Sequence, residues 1–198
     1  MSIDKKKRGE LNMKKRLTGL IFEKAFKYSE KSAFKLVSGR MSRYYFNCKT
    51  VTLHPEGMYL IGSIIYEMIR DMDAKGIGGL TLGADPIAGA VAYTSYLKGR
   101  PVEAFIVRKK TKSHGTMQCI EGNVREGDRV VIVDDVITTG KSTIEAISRS
   151  RDAGLEIAGV IALVDRQEGG KENIEALGLD VESVVTRDDV MKLYHSVA

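Results

Sequence analysis

Apolar residues recur at helical spacing over 17 to 28, where Leu17, Leu20, Ile21, Phe22, Ala25 and Phe26 share one face. Short extended segments are expected at 34 to 36 and 44 to 46. Behind His54 and Pro55, the spacing of Met58, Ile61, Ile64, Ile65, Met68 and Ile69 predicts a strongly amphipathic helix, with Pro55 suited to its first turn. From there the chain alternates in kind. Apolar runs rich in β-branched residues at 77 to 82, 102 to 107, 130 to 134, 157 to 164 and 181 to 185 are separated by helix-like stretches at 86 to 98, 140 to 153 and 171 to 177. The gap at 108 to 129 is not helical and predicts a hairpin-like excursion. Continuous apolar strands separated by helices predict an α/β fold, with a mainly parallel central sheet flanked by helices and ligands bound at the carboxyl ends of its strands.

The 198 residues suffice for one domain, expected over 17 to 198 as a small N-terminal subdomain at about 17 to 50 and a core at about 51 to 190. With 43% hydrophobic and 29% charged residues, disordered and fibrous classes drop out. Cys48 and Cys119 lie far apart in sequence with no metal-ligand spacing, so they read as reduced thiols. No stretch offers about 20 unbroken apolar residues, and the lysine-rich start does not lead into a signal-peptide core. A soluble, cytoplasmic protein with no membrane partner is expected. The net charge of +5 is carried entirely by residues 1 to 16, where Lys5, Lys6, Lys7, Arg8, Lys14, Lys15 and Arg16 stand against Asp4 and Glu10. That segment reads as a solvated, disordered basic tail, and Met13 is an alternative start. A body that is neutral overall argues against a nucleic-acid partner.

The sharpest chemical signal is the run from Arg129 to Thr143, an apolar strand that ends in Asp134 and Asp135 and then enters a small, hydroxyl-rich turn. Backbone N–H groups and hydroxyls of Thr138, Thr139, Gly140, Lys141 and Ser142 can converge on a phosphate where the helix begins, since free donors and the helix dipole favour an anion there. Two adjacent acids would repel that phosphate. They therefore suit neighbouring hydroxyls, and the vicinal hydroxyls of a ribose fit. A P-loop fails on spacing, because the position that needs glycine holds Asp135. A second signal is the run from Arg108 to Gly115, in which Arg108, Lys109, Lys110, Lys112 and His114 stand with no acid among them. Leaving a strand and followed by Gly115 and Gly122, it reads as a polyphosphate-attracting lid. Arg166, at the carboxyl end of another strand, offers a fork of donors to a planar carboxylate, or else pairs structurally with Asp165 or Glu168.

The Val131 to Thr143 segment resembles the motif with which type I phosphoribosyltransferases bind 5-phosphoribosyl 1-diphosphate (PRPP). The runs 108 to 115 and 164 to 170 are similar to signature stretches of the orotate phosphoribosyltransferases, and Ser38-Gly39-Arg40 with Tyr44-Tyr45-Phe46-Asn47 is similar to their N-terminal substrate region. The resemblance covers about residues 17 to 190 and implies the type I phosphoribosyltransferase fold with an N-terminal hood. It implies transfer of the phosphoribosyl group of PRPP to orotate in pyrimidine biosynthesis, giving orotidine 5′-phosphate and diphosphate. Magnesium would be held through PRPP, with no direct protein ligand. Lys112, His114, Arg108 and Lys109 would carry catalysis, and a homodimer would bring the 108 to 122 loop to the neighbouring active site. Arg166, Thr138, Tyr45 and Phe46 would meet orotate. Tyr45 and Phe46 are adjacent, however, and in an extended segment only one of them can face the base.

Two departures from the family pattern stand out. Val37 occupies the place of a lysine found before Ser-Gly-Arg in bacterial members, with Lys35 two positions earlier, and whether Lys35 replaces it is left open. The turn at Gly83, Ala84 and Asp85 stands where some members carry Tyr-Lys. Its backbone N–H groups can still serve a diphosphate, but it supplies no cation. Two rivals share the motif: a purine phosphoribosyltransferase, which has no use for a carboxylate-binding Arg166, and a PRPP-sensing regulator.

Overall fold

The computed structural model describes residues 3–31, 33–35, 41–109 and 119–197. The chain opens with helix α1 (Ile3–Lys24), then forms four short strands, β1 (Phe26–Tyr28), β2 (Phe34–Lys35), β3 (Met41–Ser42) and β4 (Tyr44–Phe46), and a single helical turn, α2 (Lys49–Thr52). The core follows as α3 (Pro55–Ile69), β5 (Gly76–Leu80), α4 (Asp85–Leu97), β6 (Glu103–Val107), β7 (Ile120–Gly122), β8 (Arg129–Ile137), α5 (Lys141–Asp152), β9 (Glu156–Asp165), α6 (Gly170–Glu175), β10 (Val181–Thr186) and α7 (Arg187–Val197). Six strands form one sheet in the order β10-β9-β8-β5-β6-β7. Its pairings are parallel except for β6 with β7. The α/β architecture is therefore the one the apolar runs predict.

Strand alternation divides the core between the two faces of the sheet. Along β8, Val131 and Val133 point into a cluster with Leu17, Ile21, Ile65 and Ile87, whereas Val130 and Ile132 point into one with Ile147, Ala162 and Ile174. All of these are buried, so the strand needs a continuous apolar run rather than an alternating one. The hood elements pair as β1 with β4 and β2 with β3, both antiparallel, and Ser42 and Tyr44 of the hood accept from Arg166 at the carboxyl end of β9. Tyr194 of α7 packs on Tyr28 of β1 at 4.9 Å between ring centroids, tying the C-terminus to the hood.

The expected disordered tail is corrected: from Ile3 onward the segment is the first part of α1. Lysine, arginine, glutamate and leucine are good helix formers, so a helix nucleated by the docked face at Leu17, Leu20 and Ile21 propagates toward the N-terminus. Arg16 adds a two-pronged contact to Glu56 of α3, with Nε–Oε1 at 2.7 Å and Nη2–Oε2 at 2.8 Å. The helix stops at Lys24 because Phe26 and Tyr28 are drawn into strand pairing with Phe46 and Tyr44. The hairpin-like excursion expected over 108 to 129 is present: Ile120 to Gly122 return as β7, antiparallel to β6. The C-terminal helix α7 is not among the predicted elements, since its short apolar face at Val190 and Tyr194 is masked by charged neighbours.

Candidate active site

β5 and β8 are neighbours, and the chain leaves them toward opposite sides of the sheet, so the crevice at their carboxyl ends is its topological switch point. Asp134 and Asp135 of β8 lie there, 6% and 9% exposed. Oδ2 of Asp134 accepts from Ser142 Oγ at 2.8 Å and Thr143 Oγ1 at 2.7 Å, and its Oδ1 accepts the backbone N–H of Asp135. Burial, followed by the neighbouring charge of Asp135, pushes the Asp134 carboxyl up to about 6, against the pull of those hydrogen bonds. Asp135 is matched differently. Its Oδ2 accepts from Lys49 Nζ at 3.0 Å, a contact spanning 86 residues of sequence that brings the hood onto the acid pair. The sequence reading missed Lys49, which sits in a stretch of no marked periodicity and acquires its role only through folding.

Gly140 adopts φ 78° and precedes α5, whose start has no side-chain cap, so its free N–H groups can receive an anion. Thr138 and Thr139 are half-buried, Ser142 partly so, and Lys141 is exposed. The turn is braced by the segment that follows β9. Arg166 N–H donates to Ile137 O at 3.0 Å, Asn173 Nδ2 donates to Thr139 O at 3.0 Å, and a Cβ at Gly170 would stand 2.6 Å from Thr138 O and 2.8 Å from Gly140 N. This explains in contact terms why a glycine sits in the 164 to 170 run. Asn173 is a further residue the sequence reading did not single out.

Arg166 is buried, at 4% exposure. Its Nη2 donates to Glu168 Oε1 at 2.7 Å, Ser42 Oγ at 3.0 Å and Tyr44 O at 3.3 Å, while Nε is buried with no partner. The structural pairing weighed for this residue is thus present, with Glu168 rather than Asp165, whose Oδ1 accepts the Gln167 N–H. The adjacent aromatic pair divides. Phe46 is turned into the core, 5.0 Å from Phe26 between ring centroids, and so is corrected as a base-stacking candidate. Tyr45 is the outward ring, stacked on Phe34 at 5.7 Å. Lys35 is exposed on β2, and Ser38, Gly39 and Arg40 lie outside the described residues.

Gly83 lies against the acids, where a Cβ would come within 2.6 Å of Asp135 Oδ1 and 3.4 Å of Asp134 Oδ1. Ala84 is buried just before α4, and Asp85 Oδ2 in its first turn accepts from Thr81 Oγ1 at 2.6 Å. On the cationic run, Arg108 Nη1 pairs with Glu121 Oε1 at 2.9 Å, and Arg149 Nη1 and Nη2 hold the backbone carbonyls of Arg108 and Lys109 at 2.9 and 3.0 Å. Lys109 is exposed. Lys112 and His114 lie outside the described residues. Both cysteines are free, and burial raises the Cys48 thiol well above its ordinary range.

An acid pair beside an uncapped helix start, at the switch point of a parallel sheet, defines a phosphosugar-handling α/β protein, and the phosphoribosyl transferase domain family matches residues 49–187. The chain is 44% identical over 178 residues to the orotate phosphoribosyltransferase of Aquifex aeolicus, spanning 90% of this chain and 97% of that one. A crystal structure of the Mycobacterium tuberculosis H37Rv orotate phosphoribosyltransferase in complex with Fe(III) dicitrate matches with a TM-score of 0.79 at 39% identity, covering 90% of this chain and 98% of that one. The same enzyme in complex with PRPP matches at a TM-score of 0.73 and 35% identity, covering 90% and 92%. This chain belongs to the orotate phosphoribosyltransferase family.

Two outcomes follow from the site's packing. Gly170→Ala forces a methyl group into the backbone of the turn at 138 to 140, and is expected to cost about 1–3 kcal/mol of stability and to weaken phosphate binding, read by urea denaturation and by titration with ribose 5-phosphate. For Asp134, the folded state keeps the proton up to about pH 6, whereas the unfolded chain releases it near the ordinary carboxyl value of 3.8. Ionisation therefore costs stability as pH rises through that window, and the penalty is complete above it. Asp134→Asn removes the penalty, so its stability relative to the parent should improve by about 2 kcal/mol between pH 4 and pH 7 in denaturation curves. A flat difference would contradict the raised value.

Proposed function

We propose that the chain transfers the phosphoribosyl group of PRPP to orotate, giving orotidine 5′-phosphate and diphosphate, as the name of its family describes. The observation that carries this reading is the junction of the buried acid pair with the open start of α5. The start of α5, with Thr138 to Ser142, receives the 5′-phosphate, and Asp134 and Asp135 take the ribose hydroxyls. The orphaned Nε of buried Arg166 supports orotate over a purine, since an unsatisfied buried donor is costly and a ligand carboxylate supplies its acceptor. Tyr45, next in the chain to the Tyr44 carbonyl that Arg166 holds, offers an outward ring surface.

Orotate is already an anion, so the reaction needs no strong base. Catalysis consists of holding the ring nitrogen in line with the anomeric carbon and stabilising the departing diphosphate. Arg108 and Lys109 stand at the mouth of the loop, and Lys112 and His114 further along it meet the charge that grows on the leaving group. Among the described residues no three His, Cys, Asp or Glu side chains gather as a metal cage, and Asp134 is already engaged by two hydroxyls. In this reading magnesium would be held through PRPP rather than by protein ligands, and when bound it would supply charge that offsets the diphosphate.

A homodimer belongs to this reading. Met58 and Tyr59 of α3 and Tyr93, Tyr96 and Leu97 of α4 are all exposed, a helical face of aromatic and aliphatic side chains suited to a second copy. In such a dimer the loop that carries Lys112 and His114 serves the partner's site. The substrates are water-soluble and suit a cytoplasmic enzyme, and no helix among the described residues is long and apolar enough to cross a membrane.

The direct test is the loss of orotate absorbance with PRPP and magnesium, set beside uracil, hypoxanthine and adenine. Consumption of orotate alone is expected, whereas turnover of a purine base would overturn the assignment. Lys112→Ala should lower kcat about a hundredfold or more with smaller changes in KM. Mixing that variant with Asp134→Asn should restore part of the activity if the loop acts across a dimer. A mixture as inactive as its components would exclude the exchange.

A further inference from the structure

The turn at Gly83, Ala84 and Asp85, read from the sequence as a diphosphate turn, carries an acid and no cation. It also abuts Asp135, since Gly83 is so close to that carboxylate that a Cβ would stand 2.6 Å from Oδ1. A diphosphate arriving there meets two buried acids at one edge. Unless a positive charge offsets them, the repulsion opposes binding, and it is poorly screened in a crevice.

Lys49 is the side chain that supplies the charge. Its ammonium lies 3.0 Å from Asp135 Oδ2, so Lys49 and the Gly83 turn approach the two oxygens of one carboxylate. The lysine side chain is 46% exposed against 12% for Asp135, so much of it stays accessible to solvent while its ammonium is paired. Its anchorage is firm. Cys48, Val51 and Thr52 around it are buried at about 1% exposure or less, Thr50 Oγ1 donates to Lys24 O at 2.9 Å, and the Asn47 N–H donates to Ala25 O at 2.8 Å. The hood thus holds one turn of helix in place and directs its first side chain onto the acid pair.

We propose that Lys49 is a substrate-binding cation for this turn, delivered from the N-terminal hood: it neutralises Asp135 in the free protein and contacts the diphosphate of the donor when PRPP binds. The contact is selective for one end of the substrate. The 5′-phosphate is received at the start of α5, whose Ser142 and Thr143 engage Asp134, whereas Lys49 engages Asp135. The inference rests on the reading of the chain as a PRPP-binding enzyme and goes beyond it in naming the residue that replaces the missing loop cation.

Calorimetric titration of the full chain and of Lys49→Gln with magnesium–PRPP, magnesium–diphosphate and ribose 5-phosphate separates the possibilities. PRPP and diphosphate should each bind at least tenfold more weakly to the variant, ribose 5-phosphate should change by less than twofold, and Lys49→Arg should recover most of the loss. Equal weakening of all three ligands would mean that Lys49 only orders Asp135, and unchanged binding of all three would mean that it has no part in the site. Either result overturns the proposal. Matching thermal melting of parent and variant checks that the hood remains folded. Failure of the parent protein itself to bind PRPP would instead overturn the functional reading.

Discussion

Two carboxylates at the end of a buried strand are the constraint around which the rest is arranged. Side by side in a crevice of low polarity, Asp134 and Asp135 repel each other and lose hydration, and each must be compensated by something the fold brings to it. Asp134 is met locally by two hydroxyls from the first turn of α5. Asp135 is met by Lys49 from the hood, and Gly83 keeps the neighbouring turn close without filling the space between. Three segments distant in sequence therefore converge because two charges require them to.

The same economy governs the phosphate turn. An uncapped helix start is unsatisfied in the free protein, and its shape must be held by neighbours rather than by its own hydrogen bonds. Gly170 and Asn173 provide that support from behind, and the backbone of Arg166 joins them, so the side chain suited to a carboxylate is fixed relative to the turn suited to the phosphate. The two are thereby held together through the segment between β9 and α6. Glu168 holds the guanidinium by Nη2, and Nε stays buried without a partner.

Much of this was legible in the chain. Continuous apolar runs such as Val130 to Val133 announce parallel strands because both faces are buried, and acids that end such a run announce a ligand because they are otherwise too costly. The first part of α1 was misread because its excess of lysine and arginine looks the same in a solvated coil and in a helix propagated from a docked face. Phe46 was misassigned for a related reason. Alternation says that Tyr45 and Phe46 face opposite ways, but not which of them faces the core.

The sequence by itself determined the alternation of strands and helices, the turn that cradles an anion, and the class of chemistry, because these depend on residues within a few positions of one another. The tertiary structure alone decided that Lys49 meets Asp135, that Glu168 rather than Asp165 takes Arg166, and that Gly170 buttresses the phosphate turn. The first and third of these join residues on separate elements, of which chain spacing carries no record, and the second chooses between two chain neighbours that spacing leaves equal. They arise when burial brings the elements together and each buried charge or close backbone approach has to be accommodated.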